Sequence, residues 1–92
     1  MNKYQKRLLV LIELVKKEKD FNMTQTKKCV VAIAYRRVGK KPIYEASRER
    51  KLSWFSKYYN LRLDAVTYIY DSSKASKEQI VFALTCFARN AN

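Results

Sequence analysis

Between Lys27 and Arg62 the chain carries eleven Lys or Arg residues and only two acids, Glu45 and Glu49. Cationic side chains at that density do one kind of chemistry well: they replace the counterions around a run of phosphates. Arg36, Arg37, Lys40, Lys41, Arg48, Lys51 and Lys57 are the expected phosphate contacts. A solvated surface accounts for any one of these residues alone, but a segment this one-sided points to a polyanion. The whole chain agrees in sign, with 20 Lys and Arg against 8 Asp and Glu, a net charge of +12 and a pI of about 9.9.

Residue type removes most other chemistries. Histidine is absent, so Ser-His-Asp or Cys-His catalysis and His-containing zinc sites are out. Cys29 and Cys86 are too few to close a metal site alone. Both fall in apolar helical runs, where a small buried thiol is the usual occupant, and a disulfide between them stays open at this level. The single glycine, Gly39, cannot build a phosphate-cradling loop. No pair of acids stands in an apolar setting that would tune general acid and base roles. No enzyme, cofactor, metal or small-molecule ligand is expected. The apolar run Leu8 to Val15 is broken by Glu13 and followed by Lys16, Lys17, Glu18, Lys19 and Asp20, unlike a cleavable leader. Nor is any run long enough to span a bilayer. A soluble, cytoplasmic chain with no membrane partner is the expectation.

Helices must position these cations. One Gly and one Pro in 92 residues leave too few turns for an all-β fold. Apolar residues make up 48% of the chain, including seven Tyr, four Phe and one Trp, enough for one modest core. The expected architecture is all-α: a single domain, residues 1–92, with about five short helices around one core. The first helix spans about Lys3 to Lys19, with Tyr4, Leu8, Leu11, Ile12 and Val15 in one stripe. Leu9, Val10 and Leu14 add apolar surface beyond it, assigned to contact with a second copy, deep burial being the other explanation. Thr24 or Thr26 can cap a second helix that runs to Val38, with Val31, Ala34, Tyr35 and Val38 on one face. Gly39 and Pro42 stop it. The third helix covers about Ala46 to Tyr59, with Leu52, Phe55 and Tyr59 inward and Arg48 and Lys51 outward. The fourth covers about Leu63 to Asp71. Its VTYIY run has strand-like composition, but it lacks a partner strand and is expected as helix. The last opens on a capping box, Ser76 with Gln79, and turns Ile80, Leu84, Phe87 and Ala88 inward.

Residues 52 to 71, LSWFSKYYNLRLDAVTYIYD, carry the spacing of two helices joined by a tight turn. Phe55 and Tyr59 face the core, and Ser56 is small where a second helix must cross closely. Asn60 tolerates a left-handed backbone, and Val66 and Ile69 give the second helix an inward stripe. The segment resembles the helix-turn-helix of small phage and bacterial regulators, the Cro and repressor class, over about a fifth of the chain. That resemblance implies that the second helix lies in the major groove of DNA. Its outward residues, here Arg62, Leu63, Asp64, Thr67 and Tyr68, then contact bases: Arg62 a guanine edge or phosphate, Thr67 a thymine methyl or base edge. Tyr68 would reach a phosphate through its hydroxyl. Leu63 and Asp64 depart from the usual Arg, Asn, Gln or Ser at such positions, and Asp64 also suits the first turn of its own helix. Trp54, where a solvent-facing residue is commoner, is expected to pack against the second helix of the pair.

The first reading is thus a sequence-preferring duplex-DNA-binding regulator, acting as a homodimer. The others are an RNA or single-strand binder that stacks bases on Trp54, Tyr58, Tyr59 and Tyr68, and a small basic inhibitor that docks on an acidic protein surface.

Overall fold

The computed structural model describes residues 1–25, 27–38, 47–72 and 74–90. They form helices α1 (Lys3–Lys17), α2 (Val30–Val38), α3 (Arg48–Tyr59), α4 (Leu63–Tyr70) and α5 (Lys77–Asn90), with no strand among the described residues. The expected all-α architecture is the one that forms, and VTYIY is helical.

Each helix start has a local cause. Asn2 and Gln5 exchange side-chain and backbone bonds of 2.8 and 3.0 Å, a capping box that opens α1. Ser47 accepts from the Arg50 amide at α3, and Ser76 with Gln79 forms the expected box at α5. The exception is α2, which begins at Val30, later than the sequence suggests. Asn22 explains the delay. Its side chain accepts from the Thr24 amide and hydroxyl, and its amide donates to the Lys28 carbonyl. These local bonds offer the backbone an alternative to helix, so Thr24 sits in a turn and caps nothing; Thr26 lies outside the described residues, as do Gly39 and Pro42.

One apolar cluster joins all five helices. From α1 come Leu8, Leu11, Ile12 and Val15, with Tyr4 only half-buried. Residues Val30 to Ala34 of α2 are all buried, so its first turns are enclosed on every side. Leu52, Phe55 and Tyr59 of α3 meet Val66 and Ile69 of α4, and α5 closes the core with Ile80, Leu84 and Ala88 along α1. Cys29 is buried and Cys86 half-buried, both as thiols. No helix among the described residues is long and apolar enough to cross a membrane.

The turn between α3 and α4 is built as its residue types require. Asn60 adopts φ 53°, ψ 51°, the only positive φ of a described non-glycine residue. Its amide reaches the Lys57 carbonyl, and the Leu61 amide reaches back to the Ser56 carbonyl at 2.9 Å. The Ser56 hydroxyl donates to the Leu61 carbonyl, also at 2.9 Å. A left-handed backbone costs a Cβ-bearing residue about 1–2 kcal/mol, which Asn partly recovers. Asn60→Ala is therefore expected to lower stability by about 1 kcal/mol, and Asn60→Gly to leave it nearly unchanged. Denaturant midpoints of the two variants check this; equal losses would show that the side chain, not the backbone, matters there.

Candidate nucleic-acid interface

Four of the five side chains expected to contact bases stand on the outer face of α4. Arg62, Leu63, Asp64 and Tyr68 are exposed, Leu63 by 56% and Tyr68 by 77%, while Val66 and Ile69 on the opposite face are buried. Thr67 is half-buried, and its hydroxyl donates to the Leu63 carbonyl one turn back. That leaves its methyl as the more available group. Asp64 Oδ1 accepts from the Ala65 amide at 2.8 Å, so the carboxylate serves the first turn of α4, which has no other side-chain cap. Its Oδ2 also takes Arg62 Nη2 at 3.1 Å. Arg62 therefore meets an anion with a carboxylate already beside it, and an exposed pair of this kind holds weakly.

The expected phosphate contacts among the described residues divide into three kinds. Arg37 and Lys57 are exposed with no carboxylate partner among the described residues. Arg36 and Arg48 are exposed but paired: Arg36 with Glu18 at 3.1 Å, and Arg48 with both oxygens of Asp71 at 2.8 and 2.9 Å. The hydrogen bond that Arg48 donates to Asp71, then the charge of that carboxylate, pushes the Arg48 guanidinium further up from its ordinary value. This link ties the start of α3 to the end of α4. Lys51 corrects the sequence reading, for it is 6% exposed and lies inside α3, not on the outer face. Its spacing explains this: Lys51 stands four and eight residues before Phe55 and Tyr59, on the buried face of α3. The aliphatic stem packs along the apolar seam, as a long lysine chain can, and no described buried side-chain nitrogen or oxygen is left without solvent or a partner. Lys51 therefore offers a phosphate no more than the tip of its side chain. Lys40 and Lys41 lie outside the described residues.

The aromatic residues are spent on each other. Trp54 stacks on Tyr58 with centroids 5.3 Å apart and planes 16° off parallel, and meets Tyr35 of α2 edge-on at 4.8 Å. The ring partners of Trp54 thus lie on α2 and within α3 itself. Tyr59 is buried. Of the four rings that make up a stacking platform on paper, Tyr68 is the one that is exposed.

Sequence reasoning missed Arg7. Its guanidinium sits 4.2 Å over the Tyr58 ring and donates to the Tyr58 carbonyl at 2.8 Å, one residue before the end of α3. Arg7, Lys6 and Arg37 surround a cleft of about 200 Å³ beside the turn. The signal was present in the helical spacing of Lys3, Lys6 and Arg7, a basic stripe beside the apolar one on α1. On α1, Leu9 and Val10 are exposed, as a contact between copies requires, but Leu14 is half-buried and packs on the monomer core. A larger groove of about 840 Å³ runs between α4 and α5, mostly apolar, with Phe82 on its rim. Among the described residues no cluster of acids and thiols is grouped to hold a metal. No known protein family matches the chain, and neither a curated protein nor a solved structure does.

Proposed function

We propose that this protein binds duplex DNA with sequence preference and acts as a small regulator, α4 entering the major groove and the cations around it holding phosphates. The observation that carries the reading is the two-sidedness of α4: an inner face of Val66 and Ile69 locked to α3 through the left-handed turn at Asn60, and an outer face left open. A recognition helix needs that division, since one side must fix the helix and the other must be free to read base edges. On this reading Arg62 exchanges Asp64 for a guanine edge, where its planar fork makes two bonds in place of one exposed ion pair. Leu63 and the Thr67 methyl meet thymine methyls, and Tyr68 reaches a phosphate. Each copy carries one such helix, so reading two half-sites about 34 Å apart requires two copies. The exposed Leu9 and Val10 are the surface offered for that contact.

The test is selection of duplexes from a random pool, followed by fluorescence anisotropy on the retained sequence. Arg62→Ala is expected to cost about 1–3 kcal/mol and to relax preference at one position. Lys51→Met, which removes a charge but keeps the stem, is expected to bind as the parent does. Loss of preference in neither Arg62→Ala nor Tyr68→Ala, or the absence of any retained duplex, defeats the reading.

A second reading has its own observation. Phe82 is 71% exposed beside the apolar groove, near Tyr68, and exposed aromatics beside a groove suit protein contact. Capture of a stoichiometric protein partner, together with failure to bind duplex, selects that reading.

A further inference from the structure

We propose that the cleft among Lys6, Arg7 and Arg37 is a binding site for one phosphate group, which on the reading above is a DNA backbone phosphate beside the α3–α4 turn. Three observations meet there. The first is uncompensated charge. Arg36, Arg48 and Arg62 each have a carboxylate partner, whereas Lys6, Arg7 and Arg37 have none among the described residues. No acid lines the cleft: Glu13, the one acid of α1, pairs with Lys16 at 3.6 Å, and the last turns of α2 and α3 carry Arg36, Arg37 and Lys57.

The second is preorganisation. Stacking on Tyr58 and the bond to the Tyr58 carbonyl fix the Arg7 guanidinium before any ligand arrives. A guanidinium carries five N–H donors, so one bond to the protein leaves most of its fork for an oxyanion. That same bond offsets the partial negative charge at the end of α3, which would otherwise repel a phosphate. The third is size and lining. About 200 Å³ is below the 300–1,000 Å³ or so of small-molecule pockets, and it suits a single group. Tyr58 and Tyr59 line it, with Val10 and Leu14 as an apolar wall. Burial raises the Tyr59 phenol well above its ordinary value, and Tyr58 adds to the shift while Arg7 and Arg37 oppose it. Tyr59 therefore stays neutral and brings no negative charge to the cleft.

Inorganic phosphate, titrated against chloride at constant ionic strength, is expected to shift the NMR signals of the Arg7 side chain and the Tyr58 and Tyr59 amides. The double variant Lys6→Ala, Arg37→Ala alters exposed residues that leave the Arg7 bond to Tyr58 in place. It is expected to weaken the effect by roughly tenfold or more, through the loss of two charge-assisted contacts. Shifts no larger than those from chloride, or shifts that survive in the double variant, overturn the site. In duplex binding the same variant is expected to make the salt slope shallower by about 0.9, the share of one phosphate. An unchanged slope alongside lost phosphate shifts overturns the backbone assignment and makes the ligand a free phosphate group. A chain that binds no duplex defeats the reading above, and the phosphate titration then decides the cleft alone.

Discussion

Phe55→Ala is expected to cost about 3–5 kcal/mol, a large part of the roughly 5–15 kcal/mol that holds a domain together. Phe55 is 1% exposed at the junction of α3 with α4, against Tyr59 at 4.7 Å between centroids. Truncation leaves a void that Val66 and Ile69 cannot fill without dragging α4 inward. For a chain of this length, the melting temperature should fall by roughly 12 to 40 °C, read from helical circular dichroism on heating. Phe82→Ala removes the same atoms from an exposed position and should stay within about 0.5 kcal/mol of the parent. A comparable loss at both positions would mean that the faces of α3 and α5 are assigned wrongly.

Duplex affinity should collapse with salt. Setting Lys51 aside, six cations remain as expected phosphate contacts: Arg36, Arg37, Lys40, Lys41, Arg48 and Lys57. Six contacts give a slope near −5.4 and a loss on the order of 10³-fold between about 50 and 200 mM salt. Arg36 and Arg48 bring the charges of Glu18 and Asp71 with them, which places the expectation at the low end of the range for such proteins. Anisotropy at several salt concentrations measures the slope. Affinity that holds steady over that interval removes polyanion binding from consideration.

The legible parts of the fold were those set by local rules. Helical spacing placed Leu8, Leu11, Ile12 and Val15 inside, and the tolerance of Asn for positive φ placed the turn at residue 60. Ser76 with Gln79 marked the start of α5 for the same kind of reason. What sequence hid is long-range or one-sided. Arg7 meets Tyr58 across 51 positions, and no spacing rule reaches that far. Lys51 counts as a charge on paper, yet its stem is mostly hydrocarbon, and it shares the buried face of α3 with Phe55 and Tyr59. The pairing of Arg36 and Arg48 depends on where Glu18 and Asp71 end up, which only the assembled helices decide. On the candidate interface, the exposed side of α4 followed from its buried side; the cleft on α1 did not, because three separate helices build it.

The stack of Tyr35, Trp54, Tyr58 and Arg7 has a practical outcome. Trp54 is the lone tryptophan in the chain, so its emission under ultraviolet excitation comes from one place. Any occupant that tugs Arg7 off the neighbouring phenol alters the surroundings of that indole, and the light it gives off should change in colour or intensity. The molecule thus carries its own unlabelled optical gauge, wired to the end of α3.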